Sequence, residues 1–324
     1  MVDERADIDR TKPKVVLLFG PTGTGKSDLA LDLAAGLGEI VSADSMQVYR
    51  YMDIGTAKLS LEERRGIPHH LIDIADPDEE YTARRFRDEA ISLIRQIAGR
   101  GKIPFVVGGT GFYLKALVDG LFEGPARDEA LRSRLEAIAQ EHGSPYLHGM
   151  LKDVDPERAL SLSPNDTKRI VRALEVWELT GRTMTDCFKD QTANEAFDFL
   201  KIGLTVDRKT LYTRLDHRCD KMLDRGLVNE VRRLIDMGYS RNLPSMQGIG
   251  YRQIAAHLMG DTDYPEAIRL FKRDSRRLAK RQWTLFRPIP GTSWHEPGEI
   301  TRIRRLVEDF MTDSNVKHNQ EAIS

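Results

Sequence analysis

The pattern of apolar and polar positions changes character along the chain. In the first third, short apolar runs alternate with stretches whose apolar residues recur every three or four positions. Val15–Phe19 is an unbroken apolar run closed by Gly20, the pattern of a strand buried on both faces. Ser27–Leu37 reads as a helix carrying Leu29, Leu33 and Leu37 on one face, with Gly38 as its stop. Ile40–Ser42 predicts a second strand. Thr82–Ala98 predicts a helix with Phe86, Ala90, Leu93 and Ile97 inward, and Ile103–Val107 another buried strand. Leu71-Ile72-Asp73 is a further candidate strand. Alternating strands and helices imply a parallel sheet with right-handed crossovers.

Near Gly120–Pro125 the strand signals stop. From there to about Phe188 only helical periodicity remains. Asp128–Gln140 places Leu131, Leu135 and Ile138 inward, Pro164-Asn165-Asp166-Thr167 opens a helix, and Gly181 closes it. Phe199–Val206 returns to strand composition, and helices follow to about Arg287. The expected organisation is a P-loop NTPase-like α/β core over 14–120 and 197–312, flanked by helices. An all-helical insertion would occupy 121–196, with flexible tails at 1–13 and 313–324.

Composition narrows the class. The 324 residues are 40% apolar and 31% charged, the balance of a globular protein with room for about two domains. The 49 basic and 50 acidic residues nearly cancel, so any polyanionic partner must be read from local clusters. No run is long and apolar enough to span a membrane, and the charged stretch MVDERADIDRTKPK, which lacks an apolar core, is not expected to act as a secretion signal. Two isolated cysteines, Cys187 and Cys219, make neither a disulfide framework nor a zinc finger. A cytoplasmic monomer without a membrane partner is expected.

Gly20-Pro21-Thr22-Gly23-Thr24-Gly25-Lys26-Ser27 matches GxxxxGK[ST], between a buried strand and a helix. Glycines let backbone amides curl around phosphate oxygens, the helix N-terminus adds partial positive charge, and Lys26 adds a full one. Ser27 can ligate Mg²⁺. Most such loops bind ATP or GTP, which makes a small-molecule kinase or a nucleic-acid-dependent ATPase the alternative. An NTPase also needs an acid after a further strand to help hold the metal. Ile103–Val107 runs instead into Gly108-Gly109-Thr110-Gly111. The acid is Asp44, at the carboxyl end of the second strand, where open α/β sheets bind ligands. It suits a general base or a metal ligand.

Three basic rows accompany this site. Arg269–Arg287 carries eight Lys or Arg and one acid, with Phe271, Leu278 and Leu285 on an apolar face. In Leu211–Arg225, Arg214, Arg218, Lys221 and Arg225 lie opposite a stripe of Leu211, Leu215, Cys219 and Met222, which makes Cys219 a core filler. Lys168, Arg169 and Arg172 lie opposite Ile170, Leu174 and Trp177. Together they point to a nucleic acid. His69 and His70 have no third ligand at metal spacing and are expected to be structural. Trp177, Trp283 and Trp294 read as core, although Trp283 lies within a basic helix.

Taken in order, GPTGTGKS (20–27), ADSMQVYR (43–50), MDIGTAK (52–58), PHHLID (68–73), VGGTGFYLKAL (107–117), PNDTKRIVRALEV (164–176), MQGIGYRQI (246–254) and LAKRQWTLFR (278–287) resemble the tRNA dimethylallyltransferase, or isopentenyltransferase, family. The two cysteines make the resemblance closest to bacterial members. It implies prenyl transfer from dimethylallyl diphosphate to N6 of the adenosine at tRNA position 37, next to the anticodon. The P-loop would then hold a diphosphate leaving group, with Mg²⁺ as cofactor. Carried over, Asp44 takes the N6 proton, Thr110 lies near the target base and Arg218 binds diphosphate. The stretch Asp44, Ser45, Met46 and Gln47 contacts the tRNA anticodon stem-loop. So do Arg132 and the run Lys168, Arg169, Ile170, Val171 and Arg172. Further contacts are implied for Gln247, Gly248, Ile249, Gly250, Tyr251 and Arg252. The last are Lys280, Arg281, Gln282, Trp283, Thr284, Leu285, Phe286 and Arg287. A prenyltransferase acting on free adenylate fits the insertion and the basic helix less well.

Overall fold

The structure, a computed structural model, describes residues 12–122, 124–190 and 196–321, the last nine of these as backbone alone. The chain divides into two compact units, one formed by 1–117 and 195–324, the other by 118–194. The expected insertion boundaries fall within a few residues of these. Residues 1–11 and 322–324 of the expected tails lie outside the described residues.

The first unit is built on β1 (Lys14–Phe19), α1 (Lys26–Ala34), β2 (Gly38–Ala43), β3 (His69–His70), α2 (Ala83–Gly99), β4 (Ile103–Gly108) and α3 (Gly111–Val118). The second unit holds α4 (Glu129–His142), α5 (Ser144–Val154), α6 (Pro156–Ser161), α7 (Thr167–Thr180) and α8 (Met184–Lys189). The first resumes with β5 (Asp198–Leu204), α9 (Arg208–Asp224), α10 (Leu227–Asp236), α11 (Tyr251–Leu258), α12 (Tyr264–Phe286), β6 (Thr292–His295) and α13 (Ile300–Glu321). The strands pair in parallel in the order β3-β2-β4-β1-β5-β6. Helices cover both faces, which is why β1 and β4 are apolar without alternation and β2 is buried along its whole length. Val16, Leu18, Phe105 and Ile202 pack with Leu29, Leu33 and Ile303 on one face.

Several expectations need correction. The first helix ends at Ala34, so Leu37 is 47% exposed and Gly38 begins β2 instead of stopping α1. Gly38 is glycine because a Cβ would lie 2.2 Å from the Ile103 carbonyl oxygen of β4. The third strand is His69–His70 itself. Leu71 and Asp73 have φ of 60° and 58°, and the amides of Asp73 and Ile74 turn back to the carbonyls of Gln47 and Val48. On α2, Ile94 is buried and Leu93 only half so. The sixth strand and α13 lie beyond the last element that periodicity predicts, and α13 continues through residues expected to be a tail.

In the second unit Asp128 and Asp166 cap α4 and α7 through bonds to the amides of Leu131 and Arg169, and Gly181 closes α7 at φ 69°. Leu135, Ile170, Val171 and Leu174 form its core, with Leu131 and Ile138 packed against it.

Candidate functional site

The phosphate loop follows β1, and its first residue, Gly20, lies against β5. A Cβ there would come within 2.6 Å of the Leu204 carbonyl oxygen. Gly25, at φ 84°, supplies the left-handed turn that starts α1. Lys26 Nζ donates to the Pro21 carbonyl (2.8 Å). Burial, reinforced by neighbouring Arg218 and opposed by Asp44, pulls the Lys26 pKa from 10.5 to about 7. Ser27 lies at the first turn of α1 and lines a cavity together with Lys26.

Asp44 leaves the carboxyl end of β2. Its Oδ1 accepts the amides of Met46 (2.8 Å) and Gln47 (3.4 Å), while Oδ2 has no partner among the described residues. Thr110, after β4, accepts the Ser45 amide at Oγ1 (2.9 Å) and donates to Ser45 Oγ (3.2 Å), joining the β4 turn to the acid loop. Arg218 projects from α9 and makes no ion pair or hydrogen bond among the described residues; burial works against its charge and Asp44 supports it. Of its basic row, Arg214, Lys221 and Arg225 are exposed.

Two cavities meet here. One, of about 100 Å³, is lined by Lys26, Ser27, Ser42 and Gln47. The other, of about 470 Å³, is lined by Ser45, Met46, Thr110, Gly248, Ile249, Arg252, Arg281 and Leu285. Thr22, Asp44, Gly109, Arg218 and Gln282 line both. Loop amides, two cations and an acid with a free oxygen can hold a diphosphate at one end and take a proton at the other.

The structure sorts the residues expected to contact a nucleic acid. Lys280, Arg281, Thr284, Leu285 and Arg287 are exposed along α12, and Trp283 is half-buried against Trp294 (ring centroids 5.1 Å apart). Phe286 is core instead, 5.2 Å from the Phe19 ring. Lys168 and Arg169 are exposed, but Ile170 and Val171 are fully packed side chains of the insertion core. Gly250 is buried. Tyr251 is 1% exposed, and its hydroxyl donates to Glu230 (2.7 Å). These five therefore present no side chain to a ligand. Gln247 is exposed and donates to the Arg241 carbonyl, while the Gln47 carboxamide bridges Ser42 and Thr56.

The basic rows are also less free than their sequence suggests. On α12, Lys272 pairs with Asp220 and Arg276 with Asp216, both on α9. Arg273 and Arg252 share buried Asp274. Arg132 and Arg172 both bind Glu175.

Other parts of the site carry no usable sequence signal. Leu215, Cys219, Met222, Phe271 and Leu278 form a wall of the larger cavity. Their periodicity is visible, but a cavity wall and a packed core share it. Cys219 is nevertheless buried as expected, 3.4 Å from Ser275 Oγ. Glu230 accepts the amides of Asp53, Ile54 and Gly55, fixing the loop whose Gly55 and Thr56 line the cavity. His70 bonds Glu39 and His69 the Ile67 carbonyl, the structural roles expected of them.

A parallel sheet whose first strand feeds a GxxxxGKS loop, beside a strand-end acid, Lys26 and Arg218, defines a protein of the P-loop fold. A family model described as IPP transferase matches residues 47–288, and one described as isopentenyl transferase matches 13–73. The tRNA dimethylallyltransferase of Geobacter metallireducens is 49% identical over 93% of this chain and 99% of its own. That of Carboxydothermus hydrogenoformans is 44% identical over 94% and 98%. The full-length tRNA isopentenylpyrophosphate transferase of Bacillus halodurans superposes with a TM-score of 0.71 at 40% identity, covering 95% of this chain and 100% of that one. A eukaryotic dimethylallyltransferase acting on tRNA gives 0.79 at 32% identity, covering 94% and 80%. The chain belongs to the tRNA dimethylallyltransferase family. Among the described residues no helix is long and apolar enough to cross a membrane.

Proposed function

We propose that this protein transfers the dimethylallyl group of dimethylallyl diphosphate to N6 of the adenosine at tRNA position 37, releasing diphosphate. The observation that carries the reading is the placement of two cations beside Asp44, whose Oδ2 has no partner among the described residues. They are P-loop Lys26 and Arg218, the latter likewise unpaired among those residues. The names of the relatives supply the substrate class.

An exocyclic adenine amine is a weak nucleophile because its lone pair is delocalised into the ring. Asp44, hydrogen-bonded to N6–H, accepts the proton as N6 bonds to the allylic carbon. The carbon–oxygen bond to diphosphate breaks in the same step. Lys26, Arg218 and the loop amides stabilise the charge that builds on the leaving group. Ser27 offers a hydroxyl, a hard oxygen donor, on the cavity that Lys26 and Asp44 also line, which suits Mg²⁺ beside a diphosphate. When bound there, Mg²⁺ would supply further positive charge to the diphosphate. The adenine must leave its stack to enter the larger cavity, which favours a single-stranded loop substrate. The exposed cations of α12 provide a surface for its backbone.

Incubation with labelled dimethylallyl diphosphate and unmodified tRNA tests this. Label is expected on the tRNA with stoichiometric release of diphosphate. Label on free adenylate instead, or turnover of ATP without prenyl transfer, would overturn it.

A further inference from the structure

Helix α3 buries most of its residues but leaves Phe112 outside. Tyr113 stacks on Phe86 of α2 (ring centroids 4.4 Å apart), and its hydroxyl donates to the Tyr81 carbonyl (3.2 Å). Leu114 and Leu117 are buried as well, whereas Phe112 is 60% exposed. Leu285 of α12, 49% exposed, rests on the first residue of α3: a Cβ on Gly111 would lie 2.2 Å from its Cδ2. Thr110, Gly111 and Leu285 line the larger cavity, so Phe112, the next residue along, stands at its rim. Both helices are fixed there. Tyr113 anchors α3. Gln282 anchors α12, since its Oε1 accepts the Thr22 amide (2.8 Å) and its Nε2 donates to the Gly109 carbonyl (2.8 Å).

A single exposed apolar side chain is ordinary. Two large ones at the mouth of a site, on helices that are held in place, form a surface suited to a ligand. The charges around them indicate which ligand. Lys115 is exposed one turn along α3 from Phe112, and Arg281 is exposed one turn along α12 from Leu285. An aromatic face flanked by cations fits an unpaired nucleobase, whose ring lies on the phenyl group while its phosphates meet the cations. When an acceptor adenine leaves its stack to enter the cavity, the base beside it in the loop loses a stacking partner. Phe112 stands where that partner can be replaced.

We propose that Phe112 is a stacking platform for the unpaired anticodon-loop base next to adenosine 37, with Leu285 completing its apolar surface. The proposal rests on the reading of this protein as a tRNA prenyltransferase.

The test is the affinity of the full-length protein for an anticodon stem-loop RNA. Phe112→Ala is expected to weaken binding about tenfold. Its salt slope, donor affinity and denaturant unfolding should match those of the unsubstituted protein, because the side chain is uncharged and exposed. Phe112→Tyr keeps the ring and should bind like the unsubstituted protein. Stem-loops lacking the base at position 36 or at position 38 identify the stacked neighbour. On one of these two RNAs, Phe112→Ala should cause no further loss. Undiminished binding of the intact RNA by Phe112→Ala, or a tenfold loss retained on both abasic RNAs, overturns the platform while leaving the transfer reaction standing. Failure of the unsubstituted protein to bind or prenylate the intact RNA overturns both.

Discussion

Glu175 in the helical insertion and Arg218 in the α/β unit are both charged groups withdrawn from bulk water, but their surroundings are opposite. Glu175 has a fully buried side chain and is saturated. It accepts Arg132 at 2.7 and 2.8 Å, Arg172 at 2.5 Å and the Asp128 amide at 3.0 Å. Burial alone would raise its pKa, but these partners outweigh burial and hold it at about 2. Arg218 has no such partner among the described residues and faces a cavity beside Lys26, another cation weakened by burial. Glu175 uses buried charge for the cohesion of its unit. Arg218 has no hydrogen-bonded partner among the described residues, which is the state an anionic ligand relieves. Residue type does not separate the two uses, since each involves arginine beside an acid.

The largest effect should follow from removing the acid at the uncompensated centre. Asp44→Asn is expected to lower the single-turnover transfer rate by about 10²–10⁴-fold, or roughly 3–5 kcal/mol of barrier, with tRNA and donor still bound. Weakened donor binding that added Mg²⁺ restores would make Asp44 chiefly a metal ligand. Full activity would leave it a structural strand end.

The compensated centre should respond in stability instead. Glu175→Gln strands two guanidinium groups and is expected to cost about 3–5 kcal/mol in denaturant unfolding, with donor affinity unchanged. Acid acts on the same group. A carboxyl held at about 2 rather than 4.5 stabilises the fold fully above pH 4.5, and this contribution is lost as pH falls through about 2. Its size is about 3 kcal/mol, so Glu175→Gln should flatten the pH dependence of unfolding in that window. If it does not, the buried network is not what holds the insertion together.

Lys26→Ala should invert that outcome, losing about 1.5–3 kcal/mol of donor affinity, roughly tenfold or more, while unfolding stability is retained. Unchanged donor affinity would remove the P-loop from the assignment.

The smallest effect is on salt dependence. Neutralising Lys280 or Arg281, which are exposed and unpaired among the described residues, should lower the slope of log affinity for tRNA against log salt by roughly 0.7–0.9 for each phosphate left without its cation. Arg132→Gln should leave the slope unchanged and lower stability. A slope change from Arg132 alone would reverse the division drawn between the two units.

Much is legible in the chain because local physics decides it. The apolar runs of β1 and β4 announce strands buried on both faces. The phosphate loop needs only its own glycines, its lysine and the helix that follows. Asp44 can be placed because a strand end projects into the crevice of a parallel sheet. The helical insertion is visible from periodicity, capping residues and a helix-closing glycine.

Tertiary structure alone decides which polar groups already have partners. Nothing local distinguishes Arg132, which closes on Glu175 43 positions away, from Arg281, which has no ion-pair partner among the described residues. Tyr251 and Phe286 lie in motifs that suggest contact with a ligand, yet both are core. The two bonds of Gln282 reach residues 260 and 173 positions away, so no spacing rule could find them. Sequence determined which backbone shapes form, since those depend on neighbours within a turn or strand. Whether a charge is satisfied depends on partners that only the closed fold brings within hydrogen-bonding distance.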